Sequence, residues 1–403
     1  MSENVSAEKS AKVSAAGFGG KGVAVAIVVA AILTVGGLAL WAFQLTSGMV
    51  NTNMRNLDSW GLYITMFMFL VGLSAGGLII SSAPRVFGME GFGGVSKIAV
   101  WTSICCTVLA IGFVVIDLGQ PLRLWELFVY SNLGSPLMWD IIVLGTYLIL
   151  SIVYLWAMLR FEGGKGSAAA LRVVSAIALV CAVLVHSVTA WIFGLQQGRE
   201  MWHTALLGPW FVSSALVCGV ALVLVVVIAL RKAGYLELAQ EHVVKMLKLL
   251  GVFVMVDLYF FGCDLLTEGF PAGSGAEVVA MLTTGPLAPF FWIEVVGCAA
   301  TAVIAFVPKL RTNPLIVIAA VLAIVGIFCK RVAAGGRLPD PEPRYARRRV
   351  RSGSYGCGCG SAERRRIDGV LSVDARIRRR AGRFRAGRAH VAAGPQVPPV
   401  EAD

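Results

Sequence analysis

The sequence predicts an all-α fold, a polytopic transmembrane helical bundle of about nine helices, and three observations carry that prediction. Hydrophobic residues make up 57% of the 403 residues and charged residues only 14%, with a mean hydropathy of +0.78. A soluble domain carries about 25% charged residues. Apolar runs long enough to cross a hydrocarbon core of about 30 Å, roughly 20 residues each, recur along the chain. These runs are continuous, whereas the strands of a membrane barrel would show as alternating segments of about ten residues.

Taken in order, residues 1–22 form a polar lead and the apolar runs fall at Val23–Leu45, Trp60–Ala83, Ser96–Asp117, Leu137–Arg160 and Leu171–Gly194. Four more follow at Ala205–Leu230, Lys245–Leu266, Ala288–Val307 and Pro314–Cys329. The first run is too long for the core of a signal peptide and is followed by no obvious small-residue cleavage site, so it is expected to remain as a helix. Ser135-Pro136, Gly208-Pro209 and Ala288-Pro289 each open a run, with Trp139, Trp210 and Phe290 close behind. Proline suits a first helical turn, and the aromatics suit the membrane interface.

Of the nine cysteines, Cys105, Cys106, Cys181, Cys218, Cys263, Cys298 and Cys329 lie in or at the edges of apolar runs. There a thiol packs as a small hydrophobe. No CxxC or CxxCH motif occurs, so no iron–sulfur cluster, zinc site or covalent haem is expected in this chain. A bis-histidine haem is not expected either. Only His186 stands well inside an apolar run; His203 is in a loop, His242 near the opposite face and His390 in the tail.

The net charge of +12 is unevenly distributed. Residues 1–330 carry 18 basic against 16 acidic side chains, and residues 331–403 carry 17 against 7, every one of the 17 an arginine. The segment 332–403 therefore reads as an atypical Arg-rich tail, either a disordered polybasic extension or a stretch translated out of frame, and the absence of lysine favours the second. A nucleic-acid partner is not expected. Between the apolar runs, Lys9, Lys12, Lys21, Arg85, Lys97, Arg160, Lys165, Arg172, Arg231, Lys232, Lys245, Lys248, Lys309 and Arg311 fall on one side; the other side holds only Arg55, Arg123 and Arg199. By the positive-inside rule the N-terminus is cytoplasmic and the protein sits in the cytoplasmic (inner) membrane. With nine spans, Lys330 and Arg331 would emerge outside, against the rule, so a tenth helix is expected in relatives of this chain.

Ionisable groups inside a membrane are expensive and by default mark function. His186 lies eight residues before Gly194, about 12 Å below the outer surface at 1.5 Å per residue. Asp257, nine residues before Leu266, has a similar depth, and Glu294 lies about 9 Å in from Ala288. Asp117 and Asp140 stand at the outer ends of their runs, so all five groups belong to the outer half. Asp140, close behind Ser135-Pro136, is also placed to complement a helix dipole. In Asp117-Leu-Gly-Gln-Pro-Leu-Arg123 an acid and an arginine stand six residues apart around a glycine and a proline, an arrangement suited to a fixed ion pair or to docking a partner. Arg199, Glu200, Trp202 and His203 form a second polar group nearby. Without metal or haem, electron handling calls for a lipid-soluble redox ligand, and a quinone fits an apolar cleft with a few polar groups. His186 with an acid could exchange its protons.

Trp60-Gly-Leu-Tyr63-Ile, Phe69-Leu-Val-Gly-Leu-Ser-Ala-Gly-Gly77, Asp117-Leu-Gly-Gln-Pro-Leu-Arg123, Ser135-Pro-Leu-Met-Trp-Asp140 and His186-Ser-Val-Thr-Ala-Trp191-Ile-Phe-Gly194, with Trp202-His203 and Pro209-Trp210-Phe211 following, form an ordered set. It resembles the NrfD/polysulfide reductase membrane-subunit family over residues 30–331. The resemblance implies two four-helix bundles with a flanking helix and a quinone-reactive anchor of a respiratory oxidoreductase complex, exchanging electrons between menaquinol and an iron–sulfur, ferredoxin-like subunit on the outer face. A molybdopterin catalytic subunit or a cytochrome would be the further partner. His186, Asp257 and Glu294 are the expected catalytic residues; Tyr63, Asp117, Arg123, Asp140, Trp191, Arg199 and His203 are the expected ligand-binding or outer-face residues. The alternative is a proton-coupled secondary transporter that uses the same acids. Such transporters usually have broken helices and internal repeats, and neither is clear here.

Overall fold

The computed structural model describes residues 21–52, 60–87, 93–196, 202–270 and 274–335. The chain divides into two units, Met1–Leu338 and Pro339–Asp403. The expected Arg-rich tail, apart from its first four residues, and most of the polar lead lie outside the described residues. Among those residues there are eleven α-helices and no strand. They are α1 (Lys21–Ser47), α2 (Leu62–Phe87), α3 (Gly93–Asp117), α4 (Glu126–Val129), α5 (Pro136–Glu162), α6 (Ala168–Gly194), α7 (Leu207–Lys232), α8 (Gln240–Gly269), α9 (Ser274–Thr283), α10 (Ala288–Phe306) and α11 (Asn313–Gly335). All but the short α4 and α9 are long and apolar enough to cross a membrane, so the chain is a multi-pass membrane protein.

Most helices begin and end within a few residues of the apolar runs. The exception with consequences is α11, which continues past Cys329 to Gly335. Lys330 and Arg331 are thus not cations of an outer loop. They belong to the helix, and both are buried. The positive-inside rule does not apply to them, because it concerns loop charges facing water.

Helices α2, α3, α5 and α6 pack as one four-helix group and α7, α8, α10 and α11 as a second, with α2 against α7 joining the two. Small residues allow that junction. A Cβ on Gly76 would collide with the Ala215 carbonyl oxygen, and one on Gly219 with the backbone of Gly76. The backbones of α2 and α7 therefore touch where neither has a side chain, the usual device of membrane helices, which gain little from hydrophobic exclusion and rely on close packing. Gly77 faces the backbone of α3 in the same way, with Ala99 O 3.0 Å from its would-be Cβ.

Hydroxyls pin the first group. Ser74 Oγ lies 2.9 Å from Ser103 Oγ, 2.6 Å from Thr107 Oγ1 and 3.0 Å from Tyr147 Oη, all fully or nearly fully buried. Among the described residues, most of the basic side chains gather at one end of the helix bundle, among them Arg85, which donates to Tyr154 Oη at 3.1 Å, and Lys97, paired with Glu162 at 2.8 Å. The other end carries α4 and α9. Helix α1 stands apart: the core of its span is entirely exposed, and Gln44 ties its last turns down by donating to the Ile116 carbonyl at 3.2 Å and accepting from Tyr63 at 2.7 Å.

Candidate functional site

Four buried charges meet in the second helix group, toward the α4/α9 end. Asp257 on α8 is fully buried, and its Oδ2 lies 2.5 Å from Lys330 Nζ. The same ammonium lies 3.1 Å from Glu294 Oε1 on α10, off the direction of a good hydrogen bond, so this second contact is an ion pair only. Ser213 Oγ on α7 completes Asp257, 2.9 Å from Oδ1, and also sits 2.8 Å from the Trp210 carbonyl. Arg331 Nη2 donates to Ser214 Oγ at 2.5 Å, and its guanidinium lies 3.7 Å from the Phe211 ring centre. Two acids and two bases balance, which is how a low-dielectric interior tolerates charge.

The balance leaves donors unused. Arg331 Nε and Nη1 and Trp210 Nε1 are buried without a partner among the described residues. A guanidinium has five N–H groups in a fixed fork, and native structures seldom leave such groups unsatisfied. They border a cleft of about 50 Å³ between the α4/α9 ends of α7, α8, α10 and α11, room for a few waters as it stands. Its walls are aromatic: Trp202, Trp210, Phe211, Phe261 and Phe291. Glu294, Lys330 and Arg331 form its charged side, with Asp264 and Glu268 also lining it. Trp202 closes it near Trp60, stacked at 5.6 Å, and donates Nε1 to the Ala334 carbonyl at 2.6 Å. An arrangement with planar apolar walls, cationic donors and a carboxylate suits a flat, uncharged ring bearing carbonyl or hydroxyl oxygens. Among the described residues no three His, Cys, Asp or Glu side chains stand close enough to hold a metal ion.

Asp257 and Glu294 come together, then, through a lysine that hydropathy alone places outside the membrane. His186 is near but separate. It is buried on α6, its ring 6.2 Å from that of Phe211, and neither ring nitrogen has a partner among the described residues. The space it fills exists because Gly72 on α2 has no side chain: a Cβ there would sit 3.5 Å from His186 Nε2.

The remaining candidates scatter. Asp140 is buried rather than set at a rim, and accepts from Thr189 Oγ1 on α6 at 2.6 Å. Tyr63 joins α2 to α1 through Gln44. Asp117 ends α3 with one carboxylate oxygen buried and unpartnered among the described residues. No Asp117–Arg123 ion pair forms; Arg123 instead grips Glu126 with two bonds, 2.8 and 3.0 Å, on an exposed surface. Adjacency in sequence decided that, since i,i+3 partners in a turn meet without closing a loop. Trp191 is 43% exposed on the lipid-facing side of α6, and His203 Nδ1 lies 3.2 Å from the Gly194 carbonyl. Arg199 lies outside the described residues. The residues sequence reasoning missed are Lys330, Arg331, Ser213 and Ser214; the signal available for the first two was a pair of bases immediately after an apolar run that contains no other charge.

Residues 50–334 match the family described as Polysulphide reductase, NrfD. The chain belongs to this family. NrfD-family relatives include a putative dimethyl sulfoxide reductase membrane subunit of Halobacterium salinarum, 33% identical over 74% of this chain and 73% of that one. A selenate reductase subunit of Mesobacillus selenatarsenatis is 25% identical over 75% and 79% of the two chains. The Hdr-like menaquinol oxidoreductase integral membrane subunit of Archaeoglobus fulgidus is 28% identical over 71% of each. The family match ends at Ala334, so it takes in Lys330 and Arg331 and stops where the Arg-rich segment begins.

Proposed function

We propose that this NrfD-family chain is the membrane anchor of a respiratory reductase complex and exchanges electrons between a quinol of the bilayer and a partner subunit docked at the α4/α9 end. The observation that carries the reading is the Lys330 bridge between Asp257 and Glu294, set beside an aromatic cleft with unused Arg331 donors. The name of the Archaeoglobus relative, a menaquinol oxidoreductase subunit, supports menaquinone as the ligand. By the positive-inside rule the basic end is cytoplasmic and the cleft faces outward, where an iron–sulfur subunit with a molybdopterin or cytochrome partner would receive the electrons.

A bound quinol supplies two electrons and two protons on oxidation. In this reading Arg331 and Trp210 hold ring oxygens, and the aromatic walls orient the ring. Glu294, its carboxylate held near Lys330, accepts the two protons one at a time, passing the first to water at the outer end of the cleft before it takes the second, while both electrons leave to the docked subunit. Asp257, one ammonium further in and fixed by Ser213, sets the charge of that lysine. His186, behind Phe211, acts on the cleft through packing.

The test is menaquinol oxidation by the purified complex. Glu294→Gln lowers kcat by about a hundredfold, the scale of a lost proton-transfer group; Asp257→Asn, which acts through Lys330, also lowers kcat but by less, and His186→Ala, whose ring meets the cleft only through Phe211, changes it by less than about tenfold. Full turnover in both acid variants, with the complex intact, removes the quinone assignment. A chain that is isolated alone and moves protons with a solute would favour transport instead.

A further inference from the structure

Glu294 must discharge each proton it takes, and the cluster behind it offers no way out. Its Oε1 lies against Lys330 Nζ, and the next carboxylate inward, Asp257, is fully buried, with Oδ2 on that lysine and Oδ1 on Ser213 Oγ. An ammonium and a guanidinium have no lone pair with which to accept a proton, so neither Lys330 nor Arg331 can carry one onward. The way out of Glu294 is along the cleft.

Among the described side chains that line the cleft, only Asp264 and Glu268 can, besides Glu294, take up a proton and release it. Both stand on α8. The spacing of four, three and four residues in Asp257, Phe261, Asp264 and Glu268 keeps these four on one face of the helix, and the last three line the cleft. Asp264 lies about 10 Å beyond Asp257 toward the α4/α9 end, and the half-buried Glu268 about 6 Å further, just before α8 ends at Gly269.

The placement of both acids is unfavourable unless it serves something. Asp264 Oδ1 is buried without a partner among the described residues, and an unmet buried acceptor carries its full desolvation penalty. Water in the cleft is the partner at hand, since the cleft has room for a few molecules. Glu268 sits in the last turn of α8, the negative end of the helix dipole, and that turn has no basic side chain to offset it. The chain also leaves space for this carboxylate: a Cβ on Gly275, in the first turn of α9, would lie 2.5 Å from Glu268 Oε2.

We propose that Asp264 and Glu268 are the proton exit of the cleft, Asp264 as the relay and Glu268 as the release site at the α4/α9 end. The proposal rests on the quinone reading above and adds the path by which its protons leave. For each quinol, two protons pass one after the other. The Glu294 carboxyl gives its proton through a cleft water to the Asp264 carboxylate, Asp264 gives it to Glu268, and Glu268 gives it to bulk water. Each acid is a carboxylate again before the second proton passes, and the two electrons leave separately to the docked subunit.

The test is menaquinol oxidation by the intact complex. Asp264→Ala is expected to lower kcat at least about tenfold and to leave KM within about twofold of the wild type, because the groups that hold the ring oxygens are untouched. Acetate, small enough to stand in for the missing carboxylate, is expected to restore much of the rate as its concentration rises, where chloride at the same ionic strength does not. Glu268→Gln repeats the pattern with a smaller loss, and carries the same acetate test if Asp264→Ala fails to assemble. Wild-type kcat in both variants overturns the proposal. A loss of kcat that acetate leaves untouched overturns it as well, since that is the mark of a purely structural acid. If the wild-type complex does not oxidise menaquinol, the quinone reading itself fails; if it does and Asp264→Ala keeps its rate, only the exit path fails.

Discussion

Lys330 is the residue on which the charged cluster turns, because it is ion-paired to both Asp257 and Glu294. Removing one partner of a buried ion pair leaves a charge without compensation, at a cost of about 3–5 kcal/mol. Lys330→Met should therefore lower the thermal unfolding midpoint in detergent well below that of the wild type, and adding Asp257→Asn should recover part of the loss by removing one of the stranded acids. A single variant as stable as the wild type would show that the bridge does not hold the helices. Asp257 and Glu294 were legible in the sequence, since an ionisable group in an apolar run is costly enough to need a reason. Lys330 was not. A base at the end of an apolar run ordinarily extends its chain toward the interface, and only the presence of two acids on neighbouring helices turns this one inward. His186 was legible as a buried histidine, but its distance from the acids was not, because depth along a helix says nothing about rotation around it.

At the level of the elements, α2 against α7 is the most extensive contact between the two helix groups. Gly76→Val or Gly219→Val places atoms where the opposing backbone already lies. Such overpacking costs about 1–3 kcal/mol and can exceed that where backbone must shift. Both variants should lose thermal stability and yield of folded protein, whereas Gly36→Val on α1, where a Cβ meets nothing within 4 Å, should match the wild type in the same assay. Comparable loss in all three would mean that the bundle junction is not special. The helices themselves were readable because length and apolarity are local properties. The end of α11 was not, because hydropathy falls at Lys330 while the helix persists to Gly335, with Lys330 paired to Asp257 and Glu294 and one nitrogen of Arg331 held by Ser214 beside the Phe211 ring.

At the scale of the helix bundle, the described residues are asymmetric along the helix axes, basic at one end and bearing the cleft toward the other. If the basic end is cytoplasmic, an impermeant maleimide should label Leu122→Cys, at an exposed position before α4, from outside intact cells. Lys165→Cys, in the α5–α6 connection, should react only after the membrane is opened. The reverse pattern would invert the proposed orientation and put the docking face in the cytoplasm. The amino-acid sequence by itself determined the all-α class, the spans, the charge asymmetry and the presence of costly polar groups, all of which follow from how each segment partitions between water and lipid. Tertiary structure alone decided which of those groups meet. Asp257, Glu294 and Lys330 share one site, while Asp140 and Tyr63 serve other helix contacts, because the turn of each helix toward its neighbours is set by the fit of small residues and hydroxyls across the bundle, and that fit is a property of pairs of helices rather than of any one segment.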